Sequence, residues 1–396
     1  LIQNVWIAIK SIADKRIHKE EFENLKELRK CLSKHGSIMV NIATIIQDGG
    51  MSGPVHHLIY ELAAYDLDVF LTTARGHTRS IRHDSAGPKR TNSALMRPRD
   101  LMHESVNLAD ALEYLHHRLI YTGASISLAH NDIKPGNVLV FYPDGADTEP
   151  HCPVGHWKIA DFGLSKIKHR KPKDLITPLA EPASLGPSHR RDNSVSKTAP
   201  KRAPGRYTAP ELDQDTDMKT YGTEADVWSF GCVFAEILAY CIDLNHEHVE
   251  ELRQGLEEDS KDDRFYDVNN KQVKTSFLNH LESLKTKEGK MLENDAETIK
   301  DCVDLINKIV RTDPHARLGA REINNELRSI YNSMSSGLHI DTSQNASESN
   351  SIRPSAVQSP KDLNGHLNGD YRFPEFERMT TPTFLFSGLG DDEDSL

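Results

Sequence analysis

The run His130-Asn131-Asp132-Ile133-Lys134-Pro135-Gly136-Asn137, leading straight into Val138-Leu139-Val140, limits what this chain can fold into more than any other feature. Pro135 has no amide hydrogen to give to a helix or a ladder, and Gly136 beside it favours a turn, so the run reads as a loop. The residues after it read as a short strand, about Asn137 to Tyr142. A second strand follows at His156 to Ala160, across a stretch with Pro143, Asp144 and Gly145. Asp161-Phe162-Gly163 comes directly after that second strand. Two carboxylates, an ammonium group and an amide are thus carried on loops that flank one pair of strands.

Upstream, Val5 to Lys10 alternates and is rich in β-branched residues, which predicts a strand. Glu20 to Leu32 carries Leu25, Leu28 and Leu32 at helical spacing, which predicts an amphipathic helix. Ser37 to Ile46 and Val55 to Ala63 read as two more strands, joined by a turn-forming stretch with Gly49, Gly50, Gly53 and Pro54. Residues 75–97 are basic and aperiodic, as in a surface insertion. Leu101, Val106, Leu108, Ala109, Leu112 and Leu115 mark a long helix ending near His117. Helical patterns then dominate to about Tyr331, and residues 332–396, rich in Ser, Asn, Asp and Gly, read as a disordered acidic tail.

With 396 residues the chain has room for a two-lobed unit and some loose sequence. Its five cysteines are too widely spaced for a disulfide framework or a zinc site, so reduced, buried thiols inside the cell are expected. His56-His57 and His116-His117 are adjacent pairs, not the i, i+4 pairs of a zinc-binding helix. The net charge of −11 argues against general affinity for nucleic acid, although residues 166–206 are strongly basic. The most apolar stretch, Gly231 to Ile242, contains Glu236 and is well short of the roughly 20 residues that span a bilayer. A buried helix is expected there, with no membrane attachment.

In ordered series, His130 to Asn137 and Asp161 to Gly163 resemble the catalytic loop and the metal-binding motif of protein kinases. Further matches follow. Ile7-Ala8-Ile9-Lys10 resembles the strand whose lysine pairs with the nucleotide phosphates and with a helix glutamate; Glu20, Glu21, Glu23 and Glu27 all lie in the right helix, and Glu23 is preferred. Leu58 to Leu62 resembles the strand entering the hinge between the lobes, with Tyr60 as gatekeeper. The adenine edge would there meet backbone groups of Glu61, Leu62 or Ala63, and Asp66 would meet the ribose. Tyr207-Thr208-Ala209-Pro210-Glu211 resembles the end of an activation segment. Asp226 to Gly231 resembles the start of the central helix, and Asp313 to Arg317 the stretch whose arginine pairs with Glu211.

The resemblance implies an α+β, bilobal protein-kinase-like fold. Residues 1–62 would form a small, incomplete β-rich lobe. Residues 63–331 would form a mainly helical lobe with the insertion at about 75–97 and a long basic activation segment at 161–211. It further implies an enzyme that uses ATP and Mg²⁺ to phosphorylate serine and threonine hydroxyls of proteins, since Lys134 and Pro135 follow the serine/threonine pattern. Asp132 would be the base, Lys134 would neutralise the γ-phosphate, Asn137 and Asp161 would hold metal, and Lys10 would orient the nucleotide. The cytoplasm or nucleus is the expected location.

Three departures stand out. Only nine residues precede Lys10, none of them glycine, and the first residue is Leu, so an N-terminal truncation that lacks the glycine-rich phosphate loop is expected, with weak ATP binding or none. Asn131 stands where an arginine is frequent, so phosphorylation control through that position is not expected. Arg206 stands near a usual threonine. An alternative reading follows from these departures: a pseudokinase, or a truncated kinase, that serves as a protein-binding module.

Overall fold

The structure is a computed structural model and describes residues 6–12, 29, 31–48, 55–73, 96–121, 123–142, 153–169, 205–213, 222–260, 262–286 and 296–334. All of these belong to one compact unit, Leu1–Gly337. Glu20, Glu21, Glu23 and Glu27, the insertion at 75–97, the centre of the basic segment and the tail lie outside the described residues.

Three antiparallel strands build the first sheet: β1 (Ile7–Ile12), β2 (Ala43–Gln47) and β3 (Val55–Glu61), in the order β1-β3-β2. Lys10 faces Leu58 across the ladder. Because side chains alternate along a strand, Lys10 shares the inward face with buried Ile12 and Leu58, whereas Ile7 and Ile9 are exposed on the other. The strand expected over Ser37 to Ile46 is shorter and later than its apolar pattern suggests. The side chain of Asn41 donates to the Ala43 carbonyl at 3.2 Å and to Thr44 Oγ1 at 2.9 Å, a local closure that competes with the ladder. Residues 37–39 instead reach the strand before Asp161: Met39 N donates to Ile159 O at 2.8 Å and Ile159 N to Ser37 O at 2.9 Å.

Beyond the first sheet, β4 (Tyr65–Asp66) leads into α1 (Leu67–Thr72), whose N-terminus Asp66 caps by accepting from Val69 N at 2.9 Å. Helix α2 (Pro98–Glu113) opens with proline at its first position and ends in a single wider turn, Tyr114–Arg118. Then come β5 (Ile120–Tyr121), β6 (Ala124–Ala129), β7 (Val138–Phe141), β8 (His156–Ile159) and β9 (Lys166–His169). They form two small sheets, β4-β7-β8 and β5-β6-β9. The expected strand pair flanking the Pro-Asp-Gly stretch is thus β7 and β8.

The remainder is helical: α3 (Thr223–Asp243), α4 (Glu247–Ser260), α5 (Thr275–Leu284), α6 (Ala296–Ile309) and α7 (Ala320–Ser333). By length and composition α3 could cross a membrane, but its apolar stretch is wholly buried inside the protein. A helix that is apolar all round has no solvent face, so it becomes the axis of the helical part. Gly231 lets this axis approach α6, since a Cβ there would lie 2.6 Å from Ile309 Cγ2. The arrangement is the α+β one expected, with small sheets first and a helical region after.

Candidate active site

The loop between β6 and β7 and the turn after β8 are drawn together by backbone bonds that follow from the strand pairing. Ala160 N donates to the Asn137 carbonyl at 2.8 Å, which joins the end of the loop to the start of the turn. A one-turn 3₁₀ helix, Pro135–Asn137, delivers Asn137 inward. Its amide Nδ2 donates to Asp132 Oδ2 at 2.8 Å and to the Asp132 carbonyl at 2.7 Å. Lys134 Nζ reaches the same carboxylate oxygen at 3.1 Å. Asp132, Lys134 and Asn137 therefore form one cluster, about one carboxylate.

Asp161 adopts a left-handed conformation, φ 64°, and its carboxylate meets Lys10 from β1: Nζ to Oδ1 is 2.9 Å. Burial is the largest single influence on this carboxyl and works to raise its pKa. The hydrogen bond from Lys10, the charge of Lys10 and the amide of Gly163 together outweigh it, so Asp161 is held below the usual carboxylate range. Two charged groups 151 positions apart in sequence, one from the first sheet and one from the turn after β8, thus meet.

Around the hinge strand, half-buried Tyr60, Ala63 and Leu139 pack against Met39, Phe141 and Ala160, which gives an apolar wall beside Asp161. The Glu61 side chain is turned to Lys158, Oε2 to Nζ 2.8 Å, and Leu62 is exposed. Asp66, expected at the ribose, contributes one oxygen to the α1 cap described above. Glu23 and the other candidate helix glutamates cannot be placed relative to Lys10, because they lie outside the described residues.

The supports expected around the site are present. Buried Asp226, at the start of α3, accepts from the backbone amides of His130 at 2.7 Å and Asn131 at 2.6 Å. Arg317 grips Glu211 with both arms, Nη1 to Oε1 2.7 Å and Nη2 to Oε2 2.8 Å.

Other parts of the site escaped the sequence reading. His116, placed by the wider turn after α2, bonds Asp226 Oδ2 at 3.0 Å through Nε2. Glu236, wholly buried in α3, accepts from Arg253 of α4 through Nε at 2.8 Å and Nη2 at 2.7 Å, and from the Tyr207 hydroxyl at 2.9 Å. The same guanidinium reaches Asp68 of α1 at 2.8 Å. Burial and the adjacent Glu236 charge push the Tyr207 phenol well up. A glutamate in an otherwise apolar helix signals that some cation must meet it, but sequence spacing does not name the partner. Arg206 is paired with Glu257 at 3.3 Å and Asp263 at 3.4 Å.

The chain is similar to known sequences. The family described as "Protein kinase domain" matches residues 3–327. The protein described as "Probable serine/threonine protein kinase IREH1" of Arabidopsis thaliana is 26% identical over 219 residues, which is 53% of this chain and 13% of that protein. Cyclin-dependent kinase E-1 of Arabidopsis thaliana is 31% identical over 182 residues, 46% of this chain and 28% of the relative. The mitogen-activated protein kinase mpkC of Aspergillus fumigatus is 26% identical over 216 residues, 53% of this chain and 44% of the relative. The matched stretches thus span less than half the length of each of these three.

Proposed function

Since the chain belongs to the protein kinase domain family, we propose that it transfers the γ-phosphoryl group of ATP to serine and threonine hydroxyls of protein substrates. The observation that carries this reading is the cluster on Asp132: one carboxylate oxygen receives both Lys134 Nζ and Asn137 Nδ2, and the end of that loop is bonded to the turn whose Asp161 pairs with Lys10. Protein kinases as a family use ATP and Mg²⁺ on protein substrates.

In this reading Asp132 accepts the proton of the attacking hydroxyl, and the two donors on its oxygen fix the carboxylate in one orientation. General-base help of this kind is worth about 10²- to 10⁴-fold. Lys134, placed beside the base, neutralises charge on the transferring group. Lys10 holds the nucleotide phosphates, and the hinge backbone at Glu61, Leu62 and Ala63, with Asp66 nearby, takes the adenosine.

The residues present fit a magnesium ion. Asn137 commits its Nδ2 to Asp132, so the oxygen is the end of that amide left to offer, and Asp161 adds a carboxylate kept ionised: a set of hard oxygen donors. When bound, the ion neutralises charge on the triphosphate. Asn137 and Asp161 are the residues assigned to hold it.

By the same reading, residues 1–62 are the small lobe, 63–331 the large lobe and 332–396 a tail. The protein acts in the cytoplasm or nucleus, away from membranes and nucleic acid. Free, buried thiols at Cys31, Cys232, Cys241 and Cys302 support an intracellular setting.

The test is incorporation of labelled γ-phosphate into a protein acceptor by the chain and by its Asp132→Asn variant. Transfer by the wild type and loss in the variant is expected; equal transfer by both would refute the base assignment. A rise in melting temperature with Mg·ATP separates this reading from a binding module that has lost its nucleotide, which would show none.

A further inference from the structure

The turn that carries Asp161 is held at both ends by two adjacent residues of the catalytic loop. Before Asp161, His130 Nε2 bonds the Ala160 carbonyl at 3.0 Å, and its ring lies against Phe162 with centroids 4.8 Å apart. After Gly163, Asn131 Nδ2 donates to the Leu164 carbonyl at 2.9 Å and makes a longer contact with the Ala129 carbonyl at 3.3 Å. Both oxygens near this end of the amide are acceptors, so the group facing them must be the NH₂. That leaves Asn131 Oδ1 on the other side, buried and without a hydrogen-bond partner among the described residues. A buried amide with one end unsatisfied is costly to keep, which points to a use for its other end.

The backbone adds to this. Asn131 has φ 62°, a conformation that asparagine tolerates better than most residues, and it directs the Asn131 amide hydrogen at Asp226. One residue therefore ties three pieces together: the catalytic loop, the central helix, and the segment following the metal-binding turn.

We propose that Asn131 is a positioning residue that clamps the segment after Asp161 onto the catalytic loop from within the chain. It keeps Asp161 in its left-handed conformation, aimed at Lys10 and the metal, without any added charged group on the activation segment. The proposal rests on the kinase reading for its consequence in catalysis, and on geometry alone for its consequence in local order.

Two variants of the full chain test it. Asn131→Gly keeps the positive φ at no steric cost and removes the amide. Asn131→Asp keeps the shape but sets an oxygen against the Leu164 carbonyl. Loss of one hydrogen bond of ordinary net strength corresponds to about a fivefold effect. For Asn131→Gly, hydrogen exchange in a peptide covering residues 162–166 is expected to quicken by about that factor. The Mg²⁺ concentration for half-maximal phosphotransfer should rise by a similar factor, with KM for the acceptor peptide unchanged. Asn131→Asp is expected to show at least as large a change. Unchanged exchange and an unchanged Mg²⁺ midpoint in both variants would overturn the clamp, as would an effect confined to the acceptor KM. If the wild-type chain transfers no phosphate, the kinase reading fails, and the exchange comparison still decides the clamp by itself.

Discussion

Arg317 offers the sharpest test of how the helical region supports the site. Its side chain is 1% exposed, and its hydrogen-bonding groups are placed on acceptors: Nη1 on Glu211 Oε1 and the Glu224 carbonyl, Nη2 on Glu211 Oε2 and the Thr312 carbonyl, Nε on the Arg311 carbonyl. The guanidinium also lies over the Trp228 ring, 5.2 Å from its centroid. Arg317→Met removes the cation, strands three carbonyls and leaves Glu211 without its partner, so it should cost about 3 to 5 kcal/mol, the usual range for breaking a buried pair. Glu211→Gln is the gentler break. Glu211 is 21% exposed, the glutamine still accepts one bond, and Arg317 keeps its carbonyls and the ring. Its cost should be nearer one charge-assisted hydrogen bond, about 1.5 to 3 kcal/mol. Arg317→Lys should fall between the two, because a point charge cannot span both carboxylate oxygens. Urea unfolding of the three variants at neutral pH measures the order. A lysine variant as stable as wild type, or a glutamine variant worse than the methionine one, would refute the argument that forked geometry and buried carbonyls set the cost.

Three further outcomes follow from the packing. Arg253→Met strands the buried Glu236 carboxylate and should cost about 3 kcal/mol or more in chemical denaturation, whereas adding Glu236→Leu should recover most of the loss. Gly231→Ala should lower the melting temperature even though alanine is the better helix former. The new Cβ would press on Ile309 and Val310, and overpacking of about 1 to 3 kcal/mol exceeds a propensity gain of roughly 1 kcal/mol. Asp110 receives His35, Arg118, Arg328 and Asn324; burial works to raise its pKa, but these donors outweigh it and hold the carboxyl well below the usual range. A depressed carboxyl stabilises fully above its unfolded pKa of about 3.9 and loses that contribution as pH falls towards its folded value, so the stability gap between wild type and Asp110→Asn should be present at neutral pH and close below about pH 4. A gap independent of pH down to acid would contradict the hub.

What the sequence made legible divides by how locally each feature is encoded. Asp132, Lys134 and Asn137 lie within six consecutive positions, and the turn and strand around them are dictated by Pro135, Gly136 and the β-branched run, so their meeting could be read directly. Lys10 and Asp161 could each be placed relative to a recognisable strand, but the partner expected for Lys10 was a helix glutamate, and its bond to Asp161 was not foreseen. Features that depend on tertiary register and carry no recognisable motif were not legible. The strand expected from Ser37 begins only at Ala43, because Asn41 closes on its own neighbours while residues 37–39 pair with β8, a partner far along the chain. Glu236 announced a need for a cation, yet Arg253, Tyr207 and Asp68 come from three other elements, and periodicity ranks none of them above the rest. Asn131 shows the limit most clearly. Its sequence position marks only what is missing, an arginine, whereas its role depends on a positive φ that turns one amide to Asp226 and another to Leu164. A departure from a pattern that looks like a loss in one dimension becomes a contact in three, and its consequence is set by where the backbone points the side chain.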